Sequence, residues 1–337
     1  MNDARTFELG LLGTGAIAQV VHLPTLASFR GARVAAVCDR DHDKAAALAS
    51  RFGIPEVARA DEAIFQNPGL NGVLICTPSH LHEAQAIAAL RAGKHVLVEK
   101  PLALTPEGAR RVLDVAEETG LSVMVAMNNR YRPDALALKP FARGGELGDV
   151  FFVKAGWLNR KVRVNRPTWR HRRATAGGGA LMDLGIQVID LALWTLGFPA
   201  VERVVAHMHP AEGMEVEDSA GVLCTLKDGP ILSIEVSWSM FDRRDRHYLQ
   251  LLGTHGSGTL APLAVFKEVE QGLLDVTPQL APGQGNAYTA SYRQLIRHFI
   301  DMAEGNSPRE LPYEQVELMR LVGLAYRSAA EGREVQA

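Results

Sequence analysis

The chain has 337 residues, with 36 Lys+Arg against 38 Asp+Glu and a formal net charge of −2. That near-balance excludes an electrostatic nucleic-acid binder, which carries a basic excess. The mix of 47 % hydrophobic and 22 % charged residues is that of a globular protein of two domains. No apolar run approaches the ~18 residues of a membrane helix. The start, MNDARTFELG, lacks the basic and apolar regions of a signal peptide. Cys38, Cys76 and Cys224 are far apart, and no CxxC or His/Cys cluster exists to hold a metal, so a cytoplasmic protein without a metal is expected.

In chain order, short unbroken apolar runs come first, at 7–13, 34–39, 72–77, 95–100 and 122–127. Such runs are strands buried on both faces of a parallel sheet. Helical patterns at 41–52, 80–92 and 105–119 separate them. The last opens with Thr105 as N-cap and Pro106 at the first helical position, and Gly120 follows its end. The alternation predicts a doubly wound α/β dinucleotide-binding domain over residues 1–127. Residues 128–337 then form a second α/β domain. Its Gly-rich helix starts at Ala176-Gly177-Gly178-Gly179-Ala180 and runs to Leu196. Alternating segments at 200–208, 219–226, 231–240 and 247–252, with turns at 228–230 and 253–258, predict a mostly antiparallel sheet. A surface loop is expected at 275–286 and closing helices at 291–304 and 313–331.

Gly13, Gly15 and Ala18 fill a G-x-G-x-x-[G/A] pattern at the first strand–helix junction. Gly13 permits the tight turn, Gly15 lets backbone approach a pyrophosphate, and Ala18 allows close helix packing. With Thr14, Ala16 and Ile17 they form a phosphate loop at a helix N-terminus. Asp39 ends the second strand 24 residues after Gly15, near the ~20-residue spacing of the ribose-binding acid. Its carboxylate repels a 2′-phosphate, so NAD is expected over NADP, although Arg40 could pair with that phosphate. Lys100, restrained by Pro101, ends the fifth strand, where ligands of an open parallel sheet lie. Glu99 points to the other face as an orienting or cofactor-side residue. Thr77, Pro78, His80 and His82 follow the fourth strand, where the chain passes the pyrophosphate and nicotinamide ribose. Asp183, Gln187, Asp190 and Trp194, at intervals of four, three and four, fall within about 60° on one face of the Gly-rich helix. Polar groups on an otherwise apolar helix need partners, because burying them alone is costly. A ligand would serve, or for Asp190 a structural partner.

Gly13–Ala18 as G-x-G-x-I-A, then T-P-x-x-x-H, E-K-P-L-A and G-G-G-x-L-x-D-x-G, in that order, resemble the Gfo/Idh/MocA family of nicotinamide-dependent sugar and polyol oxidoreductases. The resemblance implies a Rossmann domain, and a second domain whose open sheet serves as oligomer interface in a homodimer or homotetramer. It makes Lys100 the active-site lysine. It brings the loop with Trp169, Arg170 and His171 to the border of cofactor and substrate, and Asn128 and Arg130 to the nicotinamide side. Tyr288 or Tyr292 would cap the site. The family pattern D-x-G-x-H-x-x-D departs here at Gln187, which stands in the histidine position. An amide cannot carry a proton near pH 7, so proton transfer falls to Lys100, with His171 as a second candidate and Asp183 as charge or substrate holder.

The function expected is a dehydrogenase moving a hydride between nicotinamide and a carbinol carbon of a sugar, amino sugar, inositol or related polyol. Two alternatives are an NAD-dependent glycosidase working by transient oxidation and a non-catalytic cofactor-binding regulator. Retention of both Lys100 and Asp183 argues against the regulator.

Overall fold

The structure, a computed structural model, describes residues 6–161, 168–210, 213–227, 229–280 and 286–337. Asp228 of the expected 228–230 turn, residues 281–285 of the expected loop and residues 162–167 before Thr168 lie outside the described residues. The chain forms two units.

The first unit holds residues 1–128 and 285–316. Its strands are β1 (Phe7–Leu12), β2 (Ala32–Cys38), β3 (Glu56–Ala58), β4 (Gly72–Ile75), β5 (His95–Val98) and β6 (Val123–Val125). They form one parallel sheet in the order β3-β2-β1-β4-β5-β6. Strand order reverses between β1 and β4, the switch point beside which open α/β sheets bind ligands. Leu11, Leu74, Ile75, Val96 and Leu97 are wholly buried in the sheet, as their unbroken apolar runs require. The helices are α1 (Leu23–Ala27), α2 (His42–Phe52), α3 (Asp61–Gln66), α4 (His82–Arg91) and α5 (Pro106–Thr119). Asp41 caps α2 by accepting from Lys44 N, and Thr105 caps α5 by accepting from Gly108 N at 3.0 Å. Each such cap contributes about 1 kcal/mol.

A single cut after residue 127 would leave the late helix with the second unit. Instead residues 285–316 return to the first. Phe299, fully buried, meets Phe7 edge-on with ring centres 6.0 Å apart, and Asn128 Nδ2 donates to Ser291 Oγ at 3.0 Å. The apolar face of that helix was plain in the sequence, but nothing local says which sheet it covers.

The second unit holds residues 129–284 and 317–337. It contains α6 (Pro133–Arg143), β7 (Val150–Arg160), α7 (Arg173–Ala176), α8 (Ile186–Leu196), β8 (Val201–Pro210), β9 (Glu217–Leu226), β10 (Ile231–Met240), β11 (Arg246–Gly253), β12 (Gly256–Leu260), β13 (Ala264–Val269) and β14 (Gly272–Asp275). After α9 (Ala287–Ala303) of the first unit come α10 (Glu314–Glu331) and β15 (Val335–Gln336). The sheet order is β14-β13-β12-β11-β7-β10-β9-β8-β15. It is antiparallel as expected except where β10 runs parallel to β7. Arg173–Leu196 is long and apolar enough for a membrane span, more than the sequence led us to expect, but 83 % of its most apolar window is buried inside the protein, the place of a core helix.

In this unit His247 packs tilted against Trp157 with centroids 4.6 Å apart, and its Nδ1 accepts from Arg132 at 3.1 Å. Burial, helped by the Arg132 charge, pushes its pKa down to about 4. The unfolded imidazole titrates near 6.5, so below that pH the unfolded chain takes up protons that the folded one refuses. Stability therefore falls as pH drops from about 6.5 towards 4, by about 2 kcal/mol between pH 7 and pH 5. Calorimetric scans across that range should show the loss, and His247→Gln should flatten it. An unchanged slope in the variant assigns the loss elsewhere.

Candidate cofactor and substrate sites

In the first unit, β1 ends at Leu12 and the chain turns at Gly13, whose φ is +86°. A Cβ there would lie 2.7 Å from the Cys76 carbonyl oxygen and 2.8 Å from Thr77 N, so only glycine fits. Gly15 differs. Its nearest neighbour in the Cβ direction is Cys76 O at 3.9 Å, leaving an open side where a phosphate can approach. Ala16 is exposed and Ile17 half-buried, and the chain winds through a π-type turn, Ala18–His22, into α1.

Thr14 is fully buried. Its N–H and hydroxyl both donate to Asp39 Oδ2, at 2.6 and 2.7 Å, while Asp41 N donates to Oδ1 at 2.9 Å. Expected as a cofactor ligand, Thr14 spends its donors on Asp39 and ties the loop to the end of β2. Burial raises the Asp39 pKa, but the Thr14 and Asp41 hydrogen bonds and the nearby Lys44 outweigh it, so the carboxyl stays below its usual range. An ionised carboxylate has about four lone-pair positions. Three are taken here, which leaves room for a ribose hydroxyl. Arg40 is exposed.

After β4, Thr77 Oγ1 donates to Gln85 Oε1 at 2.5 Å, and Gln85 passes the contact on to Asp61 at 2.6 Å. Pro78 is half-buried and His80 exposed. His82 is not free for a cofactor. It is 1 % exposed, with Nδ1 2.7 Å from the Pro101 carbonyl and Nε2 2.8 Å from the Thr77 carbonyl. It clamps the segment after β4 to the segment after Lys100. Glu99 likewise turns inward: its Oε1 lies 2.7 Å from Nε2 of His22, a fully buried histidine that the sequence did not single out. Burial raises the Glu99 pKa, but the His22 hydrogen bond and the charges of His22, Lys100 and His82 hold it below the usual range. Tyr292, expected at the mouth of a site, is buried edge-on against His22 with centroids 5.2 Å apart, and Tyr288 packs on Tyr292. Asn128 is buried with its amide on Ser291. Lys100 is half-buried just past the end of β5, and its peptide bond to Pro101 is cis.

In the second unit the glycine run closes on protein. Glu217, 4 % exposed, accepts at Oε1 from Gly179 N (2.9 Å), Leu181 N (3.0 Å) and Tyr326 Oη (2.8 Å). A Cβ at Gly178 would lie 1.7 Å from Tyr326 Oη, and one at Gly179 1.8 Å from Glu217 O. These glycines admit an acid and a tyrosine from distant elements and fix the start of the helix that carries Asp183. Asp183 is half-buried, and its Oδ2 accepts from Trp238 Nε1 at 3.2 Å. Gln187 donates to the Asp183 carbonyl at 3.3 Å. Asp190 is structural: 1 % exposed, it takes a two-point contact from Arg130 at 2.7 and 2.5 Å, so Arg130 is spent there too. Trp194 carries the Lys139 ammonium 3.8 Å above its ring.

His171 sits in a short turn, and its Nδ1 accepts from Thr168 N at 2.8 Å. The neutral ring therefore carries its proton on Nε2, which can donate but not accept. Burial and the Arg170 charge push its pKa down. Its ring meets Trp238 edge-on at 6.0 Å, and Arg170 lies 4.4 Å over Trp169. Trp238, near the end of the strand segment expected at 231–240, is the contact that joins Asp183 and His171.

Residues 7–127 match the profile of the oxidoreductase family with an NAD-binding Rossmann fold, GFO_IDH_MocA, and residues 136–259 match the GFO/IDH/MocA C-terminal domain. The chain is 28 % identical to D-glucoside 3-dehydrogenase of Escherichia coli K12, over 98 % of this chain and 97 % of that protein. It is 34 % identical to the uncharacterized oxidoreductase ORF334 of Rhizobium meliloti, over 75 % of this chain and 74 % of that one. Among solved structures, levoglucosan dehydrogenase in complex with NADH and L-sorbose superposes with a TM-score of 0.86 at 25 % identity, covering 98 % of this chain and 99 % of that one.

Proposed function

The chain belongs to the Gfo/Idh/MocA family of oxidoreductases, and on that premise we propose that it is an NAD-dependent dehydrogenase of a sugar or related polyol. The observation that carries this reading is Lys100 at the carboxyl end of β5, in a parallel sheet whose first turn is built for a dinucleotide. When bound, the nicotinamide supplies a hydride acceptor. Lys100 takes the hydroxyl proton as the carbinol carbon is oxidised and returns it in reduction. Asp183, oriented by Trp238, accepts a sugar hydroxyl, and Gln187 donates to and accepts from a second. His171 does not serve as base, because the ring nitrogen that could accept a proton already accepts the Thr168 N–H. Glycosides and inositols are suitable members of a first substrate panel, with NADH formation as the readout. No NADH from any sugar, inositol or glycoside would overturn the reading.

The ionised Asp39 favours NAD over NADP by charge repulsion. Asp39→Ser should narrow or reverse that preference and, by releasing Thr14, weaken both cofactors. Fluorescence titration of each cofactor checks this, and an unmutated protein preferring NADP tenfold would transfer the role to Arg40. We also infer a homodimer or homotetramer built on the open sheet face, where Leu223 of β9 and Ile231 of β10 are exposed.

A further inference from the structure

Charge is unevenly distributed along this chain. Residues 157–173 and 238–247 together hold ten of the 36 Lys+Arg and only two of the 38 Asp+Glu. These 27 positions carry a formal +8, while the rest of a chain of net −2 carries −10. The fold brings described residues of the two segments together. β7 and β10 are parallel neighbours and end side by side, with Arg160 opposite Met240 and Lys161 N donating to Met240 O at 2.9 Å. His171 then meets Trp238, whose indole holds the Asp183 carboxylate.

Both acids of these segments are already used. Asp245 accepts from Arg160, and Asp242 pairs with Arg246. Arg170, Arg172, Arg173, Arg243 and Arg244 are all exposed, and none forms an ion pair with a described residue. Arg170 and Arg173 lie instead over the rings of Trp169 and Tyr326, with the charged face still open to solvent. Nothing about the stability of the sheet calls for these exposed guanidinium groups. Their planar fork of donors fits the oxygens of a phosphate or carboxylate. Glu215, which accepts from Arg173 N, and Asp218, which accepts from Ser239 Oγ, offset part of this charge, and the net positive surface that remains concentrates anionic ligands.

We propose that the substrate of the Asp183 site is an anionic sugar, a hydroxylated ring bearing a phosphate or carboxylate that these arginines receive while Asp183 and Gln187 take the ring hydroxyls. This rests on the dehydrogenase reading above and narrows its substrate class. The charged group can belong to a sugar monophosphate, a uronic acid or a nucleoside diphosphate sugar, all of which present acidic oxygens to the same donors.

The test compares matched pairs: glucose against glucose 6-phosphate, glucose against glucuronate, and glucose against UDP-glucose, each with NAD. The expected result is a kcat/KM at least about tenfold higher for one anionic partner, the size of one or two charge-assisted hydrogen bonds. That advantage should shrink as salt rises and collapse in the Arg243→Gln/Arg244→Gln variant, with the loss in the KM of the anionic sugar and not in the cofactor KM. Whichever arm shows the advantage identifies the source of the acidic group. Equal kcat/KM across every pair overturns the proposal and leaves the dehydrogenase reading standing. So does a variant whose loss falls on the cofactor KM, since the arginines then serve the cofactor phosphates. Quenching of tryptophan fluorescence by glucose 6-phosphate, glucuronate and UDP-glucose separates the two readings if no sugar is turned over. Salt-sensitive quenching that the double variant loses keeps the anion site and removes the dehydrogenase assignment, and no quenching by any of the three removes both.

Discussion

Lys100→Ala is expected to lower kcat by about 10²–10⁴-fold, the range general acid–base catalysis supplies. Cofactor affinity should change little, because the turn at Gly13 and the carboxylate of Asp39 belong to β1 and β2, while Lys100 follows β5. The informative companion is His171→Ala. In a protein where Nδ1 of His171 is held by the Thr168 N–H and its pKa is pushed down, removing the ring should leave more than about a tenth of kcat. Steady-state kinetics on the best substrate of the panel decides between them. A Lys100→Ala enzyme that keeps a tenth of its turnover, beside an inactive His171→Ala enzyme, would move the proton-transfer role to the histidine.

Gly179→Ala is expected to cost the second unit about 3 kcal/mol, the upper part of the range for an overpacked site. The new methyl group meets the Glu217 carbonyl at 1.8 Å, and that carbonyl belongs to strand β9, which cannot rotate aside as a side chain could. Relief requires the helix start to move, which also breaks the Gly179 and Leu181 bonds to Glu217. The shift should read as a fall of roughly 6–12 °C in Tm at 2–4 °C per kcal/mol. Gly221→Ala, on the same strand with nothing within 4 Å of its Cβ position, is the control and should stay close to wild type. A Gly179→Ala protein as stable as that control would show that Gly179 is not a packing requirement.

Whatever depends on neighbours in the sequence was legible beforehand. Five of the six parallel strands of the first unit, the cap at Thr105, the turn at Gly13 and the acid at Asp39 all express local periodicity or local backbone demands. The omissions share a different cause. β3 is Glu56-Val57-Ala58, with no apolar run to mark it, and β7 blurs its alternation because both of its faces are partly covered. Glu217 acts on Gly179 across 38 residues, Trp238 on Asp183 across 55 and His22 on Glu99 across 77. No pattern along the chain announces such a partner. The same cause explains why Thr14, His82 and Asn128 were expected at a ligand and are occupied by protein. Residue type showed that they bond to something, and only the fold shows to what.

The return of residues 285–316 to the first unit has a consequence for biosynthesis. Phe299, which packs edge-on against Phe7, is synthesised long after it. At 5–20 residues per second, roughly 10–35 s separate emergence of residue 128 from that of residue 299. Through that interval the nascent sheet has all six strands but lacks Phe299 over Phe7, and the second-unit sheet from β7 to β14 is synthesised meanwhile. The first unit is therefore begun before the second-unit sheet and completed only after β7 to β14 have been made, and a chain released before α9 leaves it open.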